Sequence, residues 1–141
     1  CGYKNINKYK NIINNKNILI KDFFNNIDYA YCAADIIISR AGAMALNEIS
    51  FMNKAMILIP LPSSAGNHQF HNAKFYNDKN AALLIKEDDL NGNIIENSII
   101  KLFKNTKQIK KMGLNAGELV IKNSKEKIMN QINSLIKNKK R

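Results

Sequence analysis

Acidic residues are scarce in this chain of 141 residues: 11 Asp and Glu stand against 22 Lys and Arg, a net charge of +11. Such a balance draws a protein toward nucleic acid or an anionic membrane surface. Here the lysines are scattered from Lys4 to Lys140, and only the tail from Lys137 to Arg141 clusters. Asn, Ile and Lys are all heavily used while arginine occurs only at Arg40 and Arg141, which reads as compositional bias. A nucleic-acid face needs a charged stripe and aromatic stacking platforms; both are lacking, so no nucleic-acid partner is expected. Cysteine is limited to Cys1 and Cys32, with no metal spacing and no CxxC motif. That usage fits a reducing compartment, with Cys32 expected as a core thiol in a helix. No apolar run approaches bilayer length and no signal peptide is visible, which makes the cytoplasm the expected location. The chain opens on Cys1 rather than Met, suggesting a start partway through a larger protein.

What is present is ordinary globular material, 45% hydrophobic and about one domain in length. Ile6, Tyr9, Ile12 and Ile13 have helical spacing within residues 1–16, and Asn17-Ile18-Leu19-Ile20 reads as a short strand. A loop, Asp22-Phe23-Phe24-Asn25-Asn26, precedes a helix from Ile27 to Ala34. Ile36-Ile37-Ile38 then forms a buried strand, followed by a glycine turn and a helix from about Ala43 to Met52. Asn53-Lys54 breaks that helix, and Ala55 to Ile59 is a second apolar strand stopped by Pro60 and Pro62. Asn67 caps a helix running to about Asp78, and Ala81 to Ile85 is another strand. Helices follow around Ile95 to Phe103, around Ile109 to Leu119 with interruptions at Gly113 and Gly117, and over residues 124–138.

Strands alternating with helices predict an α/β fold, a Rossmann-like parallel sheet with helices on both faces, over one domain of residues 1–141. Right-handed crossovers would place the loops Asp22–Asn26, Ser39–Ala43 and Pro60–Gln69 along one sheet edge, at the carboxyl ends of the strands.

Chemistry concentrates in ADIIISRAGAMALNE, Ala34 to Glu48. The first amides of a helix have no partner inside it, and the helix dipole adds partial positive charge there. Gly42 and the amides of Ala43 and Met44 are therefore candidates for holding a phosphate. Glu48, about one and a half turns further on, is placed to accept the two vicinal hydroxyls of a ribose through charge-assisted bonds of about 1.5–3 kcal/mol each. Gln69 offers further hydrogen bonds to a sugar, with His68 beside it. His68 and His71 lack a third ligand nearby, so neither a metal nor a cofactor is expected. Neither histidine has a serine or cysteine partner for a nucleophilic triad.

The segments ADIIISRAGAMALNEI, AMILIPLP and NHQFHNAKF, in this order, resemble the carboxyl-terminal half of the MurG family of glycosyltransferases. The resemblance covers essentially the whole chain and is most specific between Phe23 and Ala82. It implies the C-terminal domain of a two-domain GT-B glycosyltransferase, binding UDP-N-acetylglucosamine as donor. By motif position, Ala43, Met44, Ala45, Leu46, Asn47 and Glu48 form the donor loop and helix, with Glu48 on the ribose. Phe24 matches a position whose backbone contacts the uracil, and Gln69 one that contacts the donor sugar. Arg40 matches a structural position. Ala45 departs from the family pattern, which commonly has threonine there; the lost hydroxyl removes a hydrogen bond of about 0.5–1.5 kcal/mol.

The resemblance further implies a complete enzyme that transfers N-acetylglucosamine with inversion to a lipid-linked muramoyl-pentapeptide, in peptidoglycan synthesis. The acceptor site, the contact with the inner face of the cell membrane and the general base would belong to an amino-terminal domain absent from this sequence. No catalytic residue is assigned here, and the chain alone is expected to bind UDP weakly without turnover. Two other readings stand beside this one: a donor-binding subunit of a split glycosyltransferase, and a related enzyme acting on a glycolipid.

Overall fold

Every strand of this protein is short and nearly all apolar, which is the pattern of a sheet covered on both faces. The computed structural model describes residues 6–13 and 15–138. It divides into two units, Cys1–Ala34 and Asp35–Arg141.

The first unit contains α1 (Ile6–Ile12) and α2 (Ile27–Ala33). The strand expected at Asn17–Ile20 does not form. The Ile18 amide is bonded back to the Asn15 carbonyl in a turn, and Leu19 is 72% exposed. Three apolar residues in a row cannot make a strand alone; they need a ladder partner, and among the described residues the sheet has three strands, all of them later in the chain. Cys32 lies on α2 as expected, but it is exposed rather than a core thiol. The stretch from Cys1 to Asn5 lies outside the described residues.

The second unit is built on β1 (Ile36–Ser39), β2 (Ala55–Leu58) and β3 (Ala82–Leu84), parallel and in that order. Ile36 pairs with Ala55 and Met56 with Ala82. The ladders extend one step past the strands, where Ile59 donates to the Ser39 carbonyl and Ile85 to that of Leu58. Between the strands run α3 (Ala43–Phe51) and α4 (His68–Asp78), followed by α5 (Gly92–Phe103), α6 (Thr106–Glu118) and α7 (Ser124–Asn138).

Alternation along β2 divides the core. Ala55, Ile57 and Ile59 meet Leu102 of α5 and Met112 of α6 on one face. Met56 and Leu58, both fully buried, turn to the other. Two right-handed crossovers made in the same direction put α3 and α4 together on that second face. A hydrogen bond of 3.1 Å from Ser50 to Tyr76 joins these two helices. Helices therefore cover both faces, as the strand pattern predicts.

Helix α6 runs straight through Gly113 and Gly117, which do not interrupt it. Their role is close approach: a Cβ on Gly113 would lie 2.1 Å from the backbone oxygen of Asn53, and one on Gly117 would lie 1.8 Å from Asn53 Oδ1. Asn53 holds a left-handed turn (φ 53°) between α3 and β2, so the glycines let α6 settle against that turn.

Candidate functional site

The carboxyl ends of the three strands open on three loops of the second unit: Arg40–Gly42, Ile59–Asn67 and Ile85–Leu90. Two of these were expected at this edge. The Asp22–Asn26 loop was placed there by the strand before it, and that strand is not formed. The loop belongs to the first unit, where Phe23 is 63% and Phe24 39% exposed.

Arg40 ties the strand ends together. Its guanidinium donates to the carbonyls of Ile59 and Pro60, at 3.2 and 3.4 Å, and pairs with the Glu87 carboxylate beyond β3. One side chain from the end of β1 thus fixes the exits of β2 and β3, in keeping with a structural rather than a chemical role.

The start of α3 is left open. Gly42 occupies the N-cap position, so no side chain caps the helix, and its first turn carries no acidic residue. Gly42 has ordinary extended angles, φ −71° and ψ 136°, so the tight turn expected of it is not what requires a glycine. A Cβ there would meet nothing within 4 Å. The space beside this position is open. Ala43 is exposed, Met44 80% so, while Leu46, Ile49 and Ser50 turn into the core. Asn47 and Glu48 lie on the exposed face, Glu48 one turn past Met44. Leu46, 2% exposed, can contribute to a ligand only through its backbone.

Helix α4 begins differently from the expected Asn67 cap. Gly66 and Asn67 both take left-handed angles, φ 56° and 55°, and the Asn67 side chain makes no cap bond. A left-handed backbone does not aim the Asn side chain at the following amides as an extended N-cap residue does. Ser64 does the capping instead, its Oγ accepting from the Gln69 amide at 3.3 Å. Gln69 Oε1 accepts from the Leu61 amide at 3.1 Å, which orients the carboxamide and leaves its NH₂ group as the donor for a ligand. His68 Nδ1 lies 2.6 Å from the Ala65 carbonyl and must donate there, so Nε2 is the acceptor of the neutral ring. A cleft of about 310 Å³ opens beside this helix start, lined by Pro60, Leu61, Asn67, Phe70 and Lys86–Asp88.

Three residues of this edge escape sequence reasoning: Ser64, Asn72 and Glu87. Asn72 lies one turn after His68 and Gln69 on α4, and that spacing was the available signal. Its Nδ2 donates to the Ala41 carbonyl at 3.1 Å, so α4 holds both the Pro60 loop and the approach to α3. Among the described residues no three His, Cys, Asp or Glu side chains group as metal ligands. Nor is any described helix long and apolar enough to cross a membrane.

Fold and site together define a class: a Rossmann-like α/β domain with an open helix start and a polar second helix at the carboxyl edge of its sheet. The model of the glycosyltransferase family 28 C-terminal domain matches residues 1–132, and the chain belongs to that family. Among curated relatives it is 39% identical over 118 residues to the UDP-N-acetylglucosamine–N-acetylmuramyl-(pentapeptide) pyrophosphoryl-undecaprenol N-acetylglucosamine transferase of Vesicomyosocius okutanii, covering 84% of this chain and 34% of that protein. The enzyme of the same name from Rickettsia bellii is 37% identical over 121 residues, with 84% and 33% covered. The crystal structure of Acinetobacter baumannii MurG matches with a TM-score of 0.84 and 25% identity, over 95% of this chain and 40% of that one. The chain thus spans about a third of the length of these curated relatives.

Proposed function

We propose that this chain is the donor-binding part of an N-acetylglucosaminyltransferase and that its ligand is UDP-N-acetylglucosamine. The observation that carries the reading is the uncapped start of α3 at the sheet edge, with Glu48 exposed one turn past Met44. Backbone amides at such a start suit a diphosphate, and a carboxylate further along suits ribose hydroxyls. In this reading the amides of Ala43, Met44 and Ala45 meet the pyrophosphate and Glu48 the ribose. Asn47 borders the ribose on the same exposed face, and the Leu46 backbone completes the turn. The Gln69 NH₂ donates to the sugar beside His68. The names of the relatives support the sugar and the acceptor, a lipid-linked muramoyl-pentapeptide, as the substrates of the complete enzyme. That acceptor, and contact with the inner face of the cell membrane, would engage an amino-terminal domain outside this sequence. Such an enzyme would serve peptidoglycan synthesis, and through it cell-wall growth and division.

Calorimetric titration tests the reading. The chain should bind UDP and bind UDP-N-acetylglucosamine at least as well; no heat at millimolar UDP would count against it. Ala45→Thr returns a hydroxyl to the first turn of α3. One added hydrogen bond of about 0.5–1.5 kcal/mol should tighten UDP roughly two- to tenfold. Unchanged affinity in that variant would place the phosphates away from position 45.

A further inference from the structure

Four consecutive carbonyls carry the chain from β1 into α3, and each has a different partner. That of Ser39 accepts from the Ile59 amide, the last bond of the ladder, and that of Gly42 accepts from Leu46, the first bond of the helix. The Arg40 carbonyl takes the Ser39 hydroxyl at 2.9 Å. The Ala41 carbonyl lies beyond both ladder and helix, in a residue with no exposed surface. A buried carbonyl without a donor is costly, and the side chain of Asn72 supplies the donor at 3.1 Å from a different element.

This bond fixes a plane as well as satisfying an atom. The Ala41–Gly42 peptide is trans, so drawing its carbonyl toward α4 turns the Gly42 N–H the opposite way. The next residues begin α3, and with the peptide before them held, the directions of their free amides are held too. Gly42 has no side chain to brace this junction and open space around its Cα. Asn72 is therefore the brace that this part of the structure provides. It lies one turn along the same helix from Gln69, whose own carboxamide is set by Leu61.

We infer that Asn72, which is outside the proposed donor contacts, is a positioning residue that sets the start of α3 against the diphosphate. It also couples the phosphate end of the site to the sugar end through α4. This inference rests on the donor-binding reading given above. It separates Asn72 from a residue of general packing, because its effect should fall on ligands that carry phosphate.

The test compares wild type with Asn72→Ala and with Asn72→Leu, which keeps the bulk and removes the donor. Binding of UDP and of uridine is followed by NMR titration, with the melting temperature and the hydrogen exchange of the Gly42 and Ala43 amides measured alongside. UDP should weaken roughly five- to tenfold in both variants, uridine should stay within about twofold, and the two amides should exchange faster. If UDP binds the variants as it binds wild type, or if UDP and uridine weaken in parallel with the melting temperature, the inference is overturned and the donor-binding reading survives. A wild type whose α3 amides do not respond to UDP overturns both.

Discussion

Gly113→Ala is expected to destabilise the second unit, and by more than Gly117→Ala does. The new Cβ would lie 2.1 Å from the Asn53 carbonyl oxygen and 2.9 Å from its carbon, both backbone atoms. Neither can swing aside, because Asn53 holds the left-handed turn between α3 and β2, and Lys54 behind it leads directly into the buried Ala55. Relief requires α6 to lift from β2, exposing Met112 and the apolar layer it shares with Ile57 and Leu102. Overpacking costs typically 1–3 kcal/mol and occasionally more, and a clash with backbone belongs at the upper end. Alanine's better helix propensity returns about 1 kcal/mol. A net loss of about 2–3 kcal/mol corresponds to a melting temperature lower by roughly 10 °C.

Gly117→Ala supplies the control. There the obstacle is Asn53 Oδ1 at 1.8 Å, the end of a side chain that can rotate away. The helix gains about as much from alanine as the rotation costs, so stability should stay within about 1 kcal/mol. In an Asn53→Gly background, which keeps the left-handed turn, Gly117→Ala should become neutral or stabilising. Thermal melts of the three variants decide the matter, and equal losses for Gly113→Ala and Gly117→Ala would contradict the close-approach account.

These glycines also show where sequence reasoning stops. Inside a helical pattern a glycine signals weakness, and nothing local reveals that a carbonyl sixty residues earlier needs the space. Elements with strong periodicity or sharp boundaries were legible: Ile36–Ile38, Ala55–Leu58 with Pro60 behind it, and the helix over α5. The short run Asn17–Ile20, with its three apolar residues, resembled them, but strand formation depends on a partner that local sequence cannot show. The apolar stripe of α7 likewise marks a helix correctly without ensuring burial, since Ile128, Ile132 and Leu135 are all exposed. At the site, the open start of α3 was readable because Gly42, Ala43 and Met44 offer no cap. The supporting bonds were not. Arg40 to Glu87, Ser64 to Gln69 and Asn72 to Ala41 each join loops or helices through contacts with no fixed sequence spacing.

Glu48→Ala carries the largest expected effect on binding. The carboxylate is exposed on α3, one turn past Met44, and in the donor-binding reading it accepts both ribose hydroxyls. Hydrogen bonds to a charged group contribute about 1.5–3 kcal/mol each, so losing even one weakens UDP roughly tenfold or more. Because the residue is exposed and outside the apolar core, the melting temperature should stay close to that of wild type. Glu48→Gln tests the charge separately: it keeps the acceptor oxygen and should fall between the two. 2′-Deoxy-UDP should bind wild type more weakly than UDP and should lose less on going to Glu48→Ala, since one of the two bonds is already missing.

The most direct measurement is therefore calorimetric titration of UDP into wild type and Glu48→Ala, at matched folding by thermal melt. A wild type that binds UDP, with a variant weakened at least about tenfold, is the result expected of a ribose held by this carboxylate. Equal affinity in the two proteins would remove Glu48 from the site and contradict the placement of the nucleotide along α3.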